Sequence, residues 1–178
     1  SNDFRVITIG VLFLLIVLIS CCKTETKTMT VVNEVNEKEA ISLVLNNWHK
    51  DAAQANFDAY FNAMSNKSIF IGTDAGENWN FEAFKSFSKP HFDKGKAWEF
   101  EAVERNIYID TGGEIAWFDE LLDIWMGICR GSGVLKKTED SWKIEHYVLS
   151  LTIPNLNIED VKNINKSHDS IFLNKLKK

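Results

Sequence analysis

The residues of this sequence that could move protons or hold charge lie in three short stretches: AWFDE (Ala116 to Glu120), CRGSGVL (Cys129 to Leu135) and SWKIEHYVLSLTIPN (Ser141 to Asn155). His146 alternates with Trp142, Ile144, Val148 and Ser150, a set apolar apart from His146 and Ser150. In a strand that pattern turns His146 to the buried side. An inward imidazole is either a satisfied core group or a proton carrier, because imidazole changes charge near neutral pH. Asp119 and Glu120 are adjacent, so alternation sends them to opposite faces. The sets Trp117/Asp119/Leu121 and Ala116/Phe118/Glu120/Leu122 are both partly apolar, and which carboxylate points inward stays open. Arg130 interrupts an apolar strand between Cys129 and Gly131. A half-buried guanidinium needs a carboxylate partner, and Asp119 or Glu120 is the natural one; alternatively its fork recognises an anionic group on a ligand. The predicted site is a convergence of His146, Arg130 and one of Asp119 and Glu120, ringed by Trp117 and Trp142.

The elements that must position these residues follow from periodicity. Asn36 followed by Glu39 has the spacing of a capping box, and Ile41, Val44, Leu45 and Trp48 then repeat at helical intervals. Phe57, Tyr60, Phe61 and Met64 mark a second helix. Ser68 to Thr73 reads as a strand closed by the turn-forming Asp74-Ala75-Gly76. Asn80 caps a third helix carrying Phe81, Phe84 and Phe87, which Pro90 is expected to end. The period then changes to two, giving strands at Trp98 to Ile109, Glu114 to Met126, Ile128 to Lys136 and Trp142 to Ile153. Helices first and a meander of long strands afterwards predict an α+β fold: three N-terminal helices packed in a strongly curved antiparallel sheet. Long strands curl, and Gly127, Gly131 and Gly133 lie where the sheet could bend, so the expected shape is a cone with an open mouth. An amphipathic helical extension is expected over 156–178.

Composition narrows the function. The formal net charge is −5 with both signs mixed along the chain, and no basic stripe marks a nucleic-acid partner. Of three cysteines, two are adjacent near the start and Cys129 stands alone in an apolar strand, so it reads as a buried thiol outside any disulfide framework. The four histidines are scattered, without the spacing of a metal site, and no cofactor is predicted.

The first residues carry a different message. Val6 to Ile19 is an apolar run of about 14 residues, short of the roughly 20 a spanning helix needs and within the range of a secretory signal. Its end, Leu18-Ile19-Ser20-Cys21, resembles the bacterial lipoprotein lipobox. That resemblance implies a signal peptide over 1–20, lipidation of Cys21 and a membrane anchor in the bacterial cell envelope, facing the periplasm or the cell surface. Lys23 to Asn36 is polar and threonine-rich and reads as a tether, assigned to 21–36.

FIGTDAGENW (Phe70 to Trp79) together with the three stretches above resembles the SnoaL-like branch of the nuclear transport factor 2-like superfamily, in particular small lipid-anchored proteins of Bacteroidota, over a domain assigned to 37–155. The resemblance implies a pocket inside the cone. By position it brings in Asp74 as a candidate base beside His146 and Asp119, and Trp79 as a cover for the mouth beside Trp117, Glu120, Arg130 and Trp142 as ligand contacts. The superfamily's isomerase residues do not carry over as a set, since the first helix lacks a matching tyrosine. Three functions stay open: binding of a small, partly apolar molecule; proton transfer of isomerase, cyclase or dehydratase type; or a non-catalytic dimerisation domain, a homodimer being expected in the family.

Overall fold

A computed structural model of the protein describes residues 34–139 and 141–177; the apolar run, Cys21 and most of the tether lie outside them. Helix α1 spans Glu34–Ala53 and α2 spans Phe57–Asn62. Strands β1 (Met64–Ile71) and β2 (Asn78–Asn80) follow, then α3 (Phe81–Phe92). Four long strands come next: β3 (Glu101–Ile109), β4 (Ile115–Ile124), β5 (Gly127–Lys137) and β6 (Trp142–Leu151). A short 3-10 turn, Asn155–Asn157, leads into α4, Ile158–Leu176.

The six strands form one curved sheet in the order β2-β1-β6-β5-β4-β3. The α+β architecture is as expected, but the sheet is mixed. β1 lies parallel to β6, with Phe70 opposite Tyr147 and Ile71 opposite Val148. Returning β1 to the far end of the meander is a long-range choice that local alternation does not encode.

Several boundaries move for identifiable reasons. The first helix is already under way before Asn36, so Asn36 and Glu39 do not form its cap; Glu37 is an anchor that accepts from Lys137 Nζ at 2.5 Å and from Trp142 Nε1 at 2.8 Å, tying α1 to β5 and β6. The second helix stops at Asn62 because Met64 already belongs to β1. Asn80 does cap α3, accepting from the Ala83 amide at 2.9 Å. That helix runs on through Pro90, whose missing N–H affects only its last turn, and so delivers Phe92 to the core. Residues 98–100, expected as the start of a strand, have no regular structure, and β3 starts at Glu101.

The concave face holds the core. Ala116, Phe118, Glu120 and Leu122 of β4 alternate inward, as do Cys129, Gly131, Gly133 and Leu135 of β5. Across from them sit Ile41, Leu45, Trp48, His49 and Ala52, the buried stripe of α1. Each large side chain so enclosed contributes about 1.5–3 kcal/mol relative to exposure. The two inward glycines make room, and that is their role beyond any bend. A Cβ on Gly131 would stand 2.3 Å from the Tyr147 hydroxyl and 3.0 Å from Glu120 Cγ, and one on Gly133 would stand 2.3 Å from the His146 carbonyl oxygen. Gly131→Ala is therefore expected to push Tyr147 off Glu120 and to lower stability by about 1–3 kcal/mol, the usual cost of overpacking. A urea unfolding midpoint unchanged from wild type would contradict this packing.

Candidate functional site

Among the described residues Glu120 is the one carboxylate buried in the core, with 1% of its surface exposed. Three elements bring it partners. Arg105 of β3 donates from Nε to Oε2 at 2.8 Å, with Nη2 a further 2.7 Å contact. Tyr147 of β6 donates to Oε1 at 3.1 Å. His49 of α1 places Nε2 2.7 Å from the same oxygen. Arg105 is itself held by α1, through Asn46 Oδ1 at 2.7 Å. Removing a carboxylate from water raises its proton affinity, and here burial does push Glu120 up; the hydrogen bond and charge of His49, then those of Arg105, outweigh it and hold the carboxyl below its usual range. The phenol of Tyr147 is pushed well above its usual value by burial and by the neighbouring carboxylate, so it stays protonated and donates.

Two cavities open beside this network. A cleft of about 1110 Å³ is lined by His49 and by charged groups at its rim, including Lys50, Lys96, Glu101 and Asp123. A smaller cavity of about 370 Å³ is mostly aromatic: Phe70, Trp79, Phe84, Phe87, Trp98 and Phe100 contribute to its wall. The irregular segment after α3 forms a common wall, since Ala97, Trp98 and Phe100 line both, and Trp125, 85% exposed in the β4–β5 turn, stands at both mouths. Within the aromatic wall Phe70 and Phe84 stack at 4.0 Å and Trp79 and Phe87 at 4.4 Å.

The residues singled out from sequence disperse. Glu120 is the inward carboxylate of its pair, while Asp119 lies on the convex face and accepts from Asn106 Nδ2 at 3.0 Å. Trp79 lines the aromatic cavity. Trp142 is buried, but its indole is engaged by Glu37 at the other end of α1. His146 is not inward. β5 and β6 slip by one residue, pairing Val134 with His146 but Leu135 with Ile144. The bulge at Glu145 reverses the alternation, so Trp142 and Ile144 face the core before it, and Tyr147 and Leu149 after it. Arg130 is also outward and exposed, because its neighbours Cys129 and Gly131 are the inward pair; it makes no ion pair or hydrogen bond among the described residues. Trp117 stacks on Tyr108 on the convex face at 5.9 Å. Asp74 is exposed and shapes its turn by accepting from the Gly76 amide at 2.8 Å. Cys129 is fully buried as a free thiol, and burial raises its pKa.

His49, Arg105 and Tyr147 were missed. His49 had a signal: it falls four residues after Leu45 and eight after Ile41, on the buried stripe of α1. Arg105 and Tyr147 had none that local alternation could expose, since each follows a strand irregularity.

The sequence profile of the SnoaL-like domain matches residues 41–154. Several solved structures share the fold. One, from Pseudomonas putida, is described as a nuclear transport factor 2-like protein of unknown function; it has TM-score 0.57 at 11% identity, covering 68% of this chain and 90% of that one. A protein of unknown function from Mycobacterium tuberculosis has TM-score 0.58 at 13% identity, covering 73% and 80%. A nuclear transport factor 2-like protein from Cytophaga hutchinsonii has TM-score 0.54 at 13% identity, covering 65% and 98%. At such identities the likeness concerns fold alone. No match to the chain was found among curated proteins.

The buried network sets the acid limb of stability. A carboxyl held below its ordinary value of 4.5 contributes stability that is complete above that value and is lost as pH falls through the folded-state value. Glu120→Gln removes the charge that Arg105 needs and is expected to cost about 3–5 kcal/mol at pH 7, the scale for breaking one side of a buried pair. The gap between wild type and variant should narrow as pH drops below the ordinary carboxyl value of 4.5, and urea midpoints measured at a series of pH values check both size and sign.

Proposed function

We propose, from the premise that this chain belongs to the SnoaL-like domain family, that the domain binds a small, partly apolar molecule in the mouth of its curved sheet and does so tethered to a membrane. The observation that carries the reading is the aromatic cavity of about 370 Å³. That volume lies within the range of small-molecule sites, which join apolar walls to a few polar groups. Here the apolar wall continues, across Trp98 and Phe100, into the polar cleft that His49 lines. The two compartments suit a ligand with a ring or alkyl body and a polar head. A domain whose only role is to pair would have side chains filling this space.

The tether rests on Leu18-Ile19-Ser20-Cys21. Lipidation at Cys21 would hold the domain at a bilayer through acyl chains, each buried CH₂ contributing about 0.8 kcal/mol. Among the described residues no helix is long and apolar enough to cross a membrane.

Thr73 is exposed at the wall of the aromatic cavity, so Thr73→Trp should place a ring inside without disturbing the core. Titration with anilinonaphthalene sulfonate is expected to show saturable binding to wild type, weakened about tenfold, or 1.4 kcal/mol, in the variant. Equal binding by both would move the ligand elsewhere. Metabolic labelling with an alkyne fatty acid should mark the wild-type chain and leave Cys21→Ser unmarked; a label retained in that variant would refute the anchor at Cys21.

A further inference from the structure

We infer that the aromatic cavity is a cage for an alkylated ammonium group, the cationic head of a quaternary ammonium compound. The inference rests on the reading that the domain admits a small, partly apolar molecule, and names the chemical class of that molecule. A trimethylated nitrogen presents a methyl surface and carries a full positive charge. Aromatic rings beside a carboxylate answer both properties, the rings through contact and through the negative charge of their faces.

The rings stand around a gap. Phe84 of α3 is its floor, 1% exposed and stacked on Phe70 at 4.0 Å. Trp79 of β2 and Trp98 of the segment before β3 lie against Phe84 at 5.8 and 6.0 Å. The two indoles form no ring pair with each other among the described residues, so they stand on either side of a space. Phe87 stacks on Trp79 at 4.4 Å and Phe100 on Trp98 at 6.5 Å, which extends both sides. The space so bounded is about 370 Å³. Trp79 and Trp98 are only half-buried, so each keeps surface for an occupant. Indole is the ring that attracts a cation most strongly.

Charge is sorted in the same sense. The wall of the cavity contains Glu77 and no lysine or arginine. Glu77 is half-buried, accepts from the Asp74 amide through Oε2 at 3.2 Å, and forms no ion pair among the described residues. Gly72 makes room for it: a Cβ there would stand 2.1 Å from Glu77 Oε2, so the missing side chain lets the carboxylate lie over the end of β1, where both residues line the cavity. His91, the other titratable group of the wall, packs on Phe87 at 5.3 Å and on Trp98 at 6.3 Å. The lysines of α3 are turned to other rings. Lys85 and Lys89 sit over Phe57 at 5.7 and 5.4 Å. Among the described residues no lysine covers a ring of this cavity. An anionic group here would meet Glu77 unfavourably, and a neutral one would leave the carboxylate without a partner. The remainder of the molecule passes Trp98 and Phe100 into the larger cleft, which these residues also line.

Choline and dimethylbutanol are the probes, the alcohol having carbon in place of the quaternary nitrogen and otherwise the same shape. Binding to the purified full chain is read from tryptophan fluorescence. Choline is expected to bind about tenfold more tightly than the alcohol, the scale of a partly desolvated cation on aromatic rings. Glu77→Gln keeps an acceptor for the Asp74 amide, and Trp79→Leu keeps apolar bulk. Each should weaken choline about five- to tenfold and leave the alcohol unchanged. The wild-type comparison needs no variant to fold. A lipid headgroup and a free solute share this chemistry: phosphatidylcholine vesicles that displace choline support a headgroup as the source, and choline retained in their presence supports a solute. Equal affinity for choline and the alcohol overturns the inference and leaves the ligand reading standing. So does saturable binding of anilinonaphthalene sulfonate without any response to choline. Choline binding unchanged in both variants puts the cation elsewhere and overturns the cage. Absence of binding by all three compounds overturns it and counts against the ligand reading as well.

Discussion

A single negative charge inside the sheet organises the rest of the domain. An ion taken from water into protein costs several kcal/mol even after relaxation, and is tolerated only with close partners. Glu120 has three, and they come from α1, β3 and β6. Its demand for donors thus fixes how the helix lies in the sheet and which residues of three strands turn inward. Gly131 follows from the same demand: the phenol that reaches Glu120 passes where a Cβ would be. Buried ionic groups are weak evidence for stability compared with an apolar core of equal volume. Here the charge joins α1 to β3 and β6 through one side chain.

Aromatic packing then encloses this charge. Trp48 stacks on Tyr60 at 4.9 Å and meets Tyr147 edge-on at 4.8 Å. Phe70 and Phe84 carry the aromatic layer on to Trp79 and the smaller cavity. The segment between α3 and β3 is irregular, yet its Trp98 and Phe100 are the partition between the two cavities. A partition without ladder hydrogen bonds can shift at lower cost than a strand, so the division between apolar and polar compartments is the most adaptable part of the mouth.

The sequence was legible where one period persisted and silent where it broke. The stripe of α1 and the cap at Asn80 are read from spacing alone, whereas spacing leaves open which face of β4 is inward. Phe118 and Leu122 flank Glu120 in the alternation, but Trp117 and Leu121 flank Asp119 in the same way, and the inward carboxylate stays undecided on spacing. His146 illustrates the limit. One additional residue at Glu145 reverses every side chain beyond it, and nothing in the composition of KIEHY announces a bulge. Arg130 was misplaced for a different reason. Glycine was read as a bend, whereas Gly131 and Gly133 are small because other side chains occupy the space above them. Once they are recognised as the inward set, Arg130 between Cys129 and Gly131 must point out. The parallel pairing of β1 with β6 depends on residues about eighty positions apart, and no local pattern contains it.

Asp119 and Glu120 show how little separates a surface group from a site. They are neighbours in one strand, and alternation alone gives one to solvent and Asn106, the other to the core. Length completes the distinction. Glu120 meets donors at 2.7, 2.8 and 3.1 Å from three directions. An aspartate there would end one carbon–carbon bond, about 1.5 Å, short. Strand positions are fixed by the ladders on both sides of β4, so the backbone could not advance to compensate, and a shorter carboxylate could keep some of these donors only by leaving others. The site therefore needs a glutamate at this register and not simply an acid. The same reach that satisfies the charge brings its oxygen within 2.7 Å of Nε2 of His49.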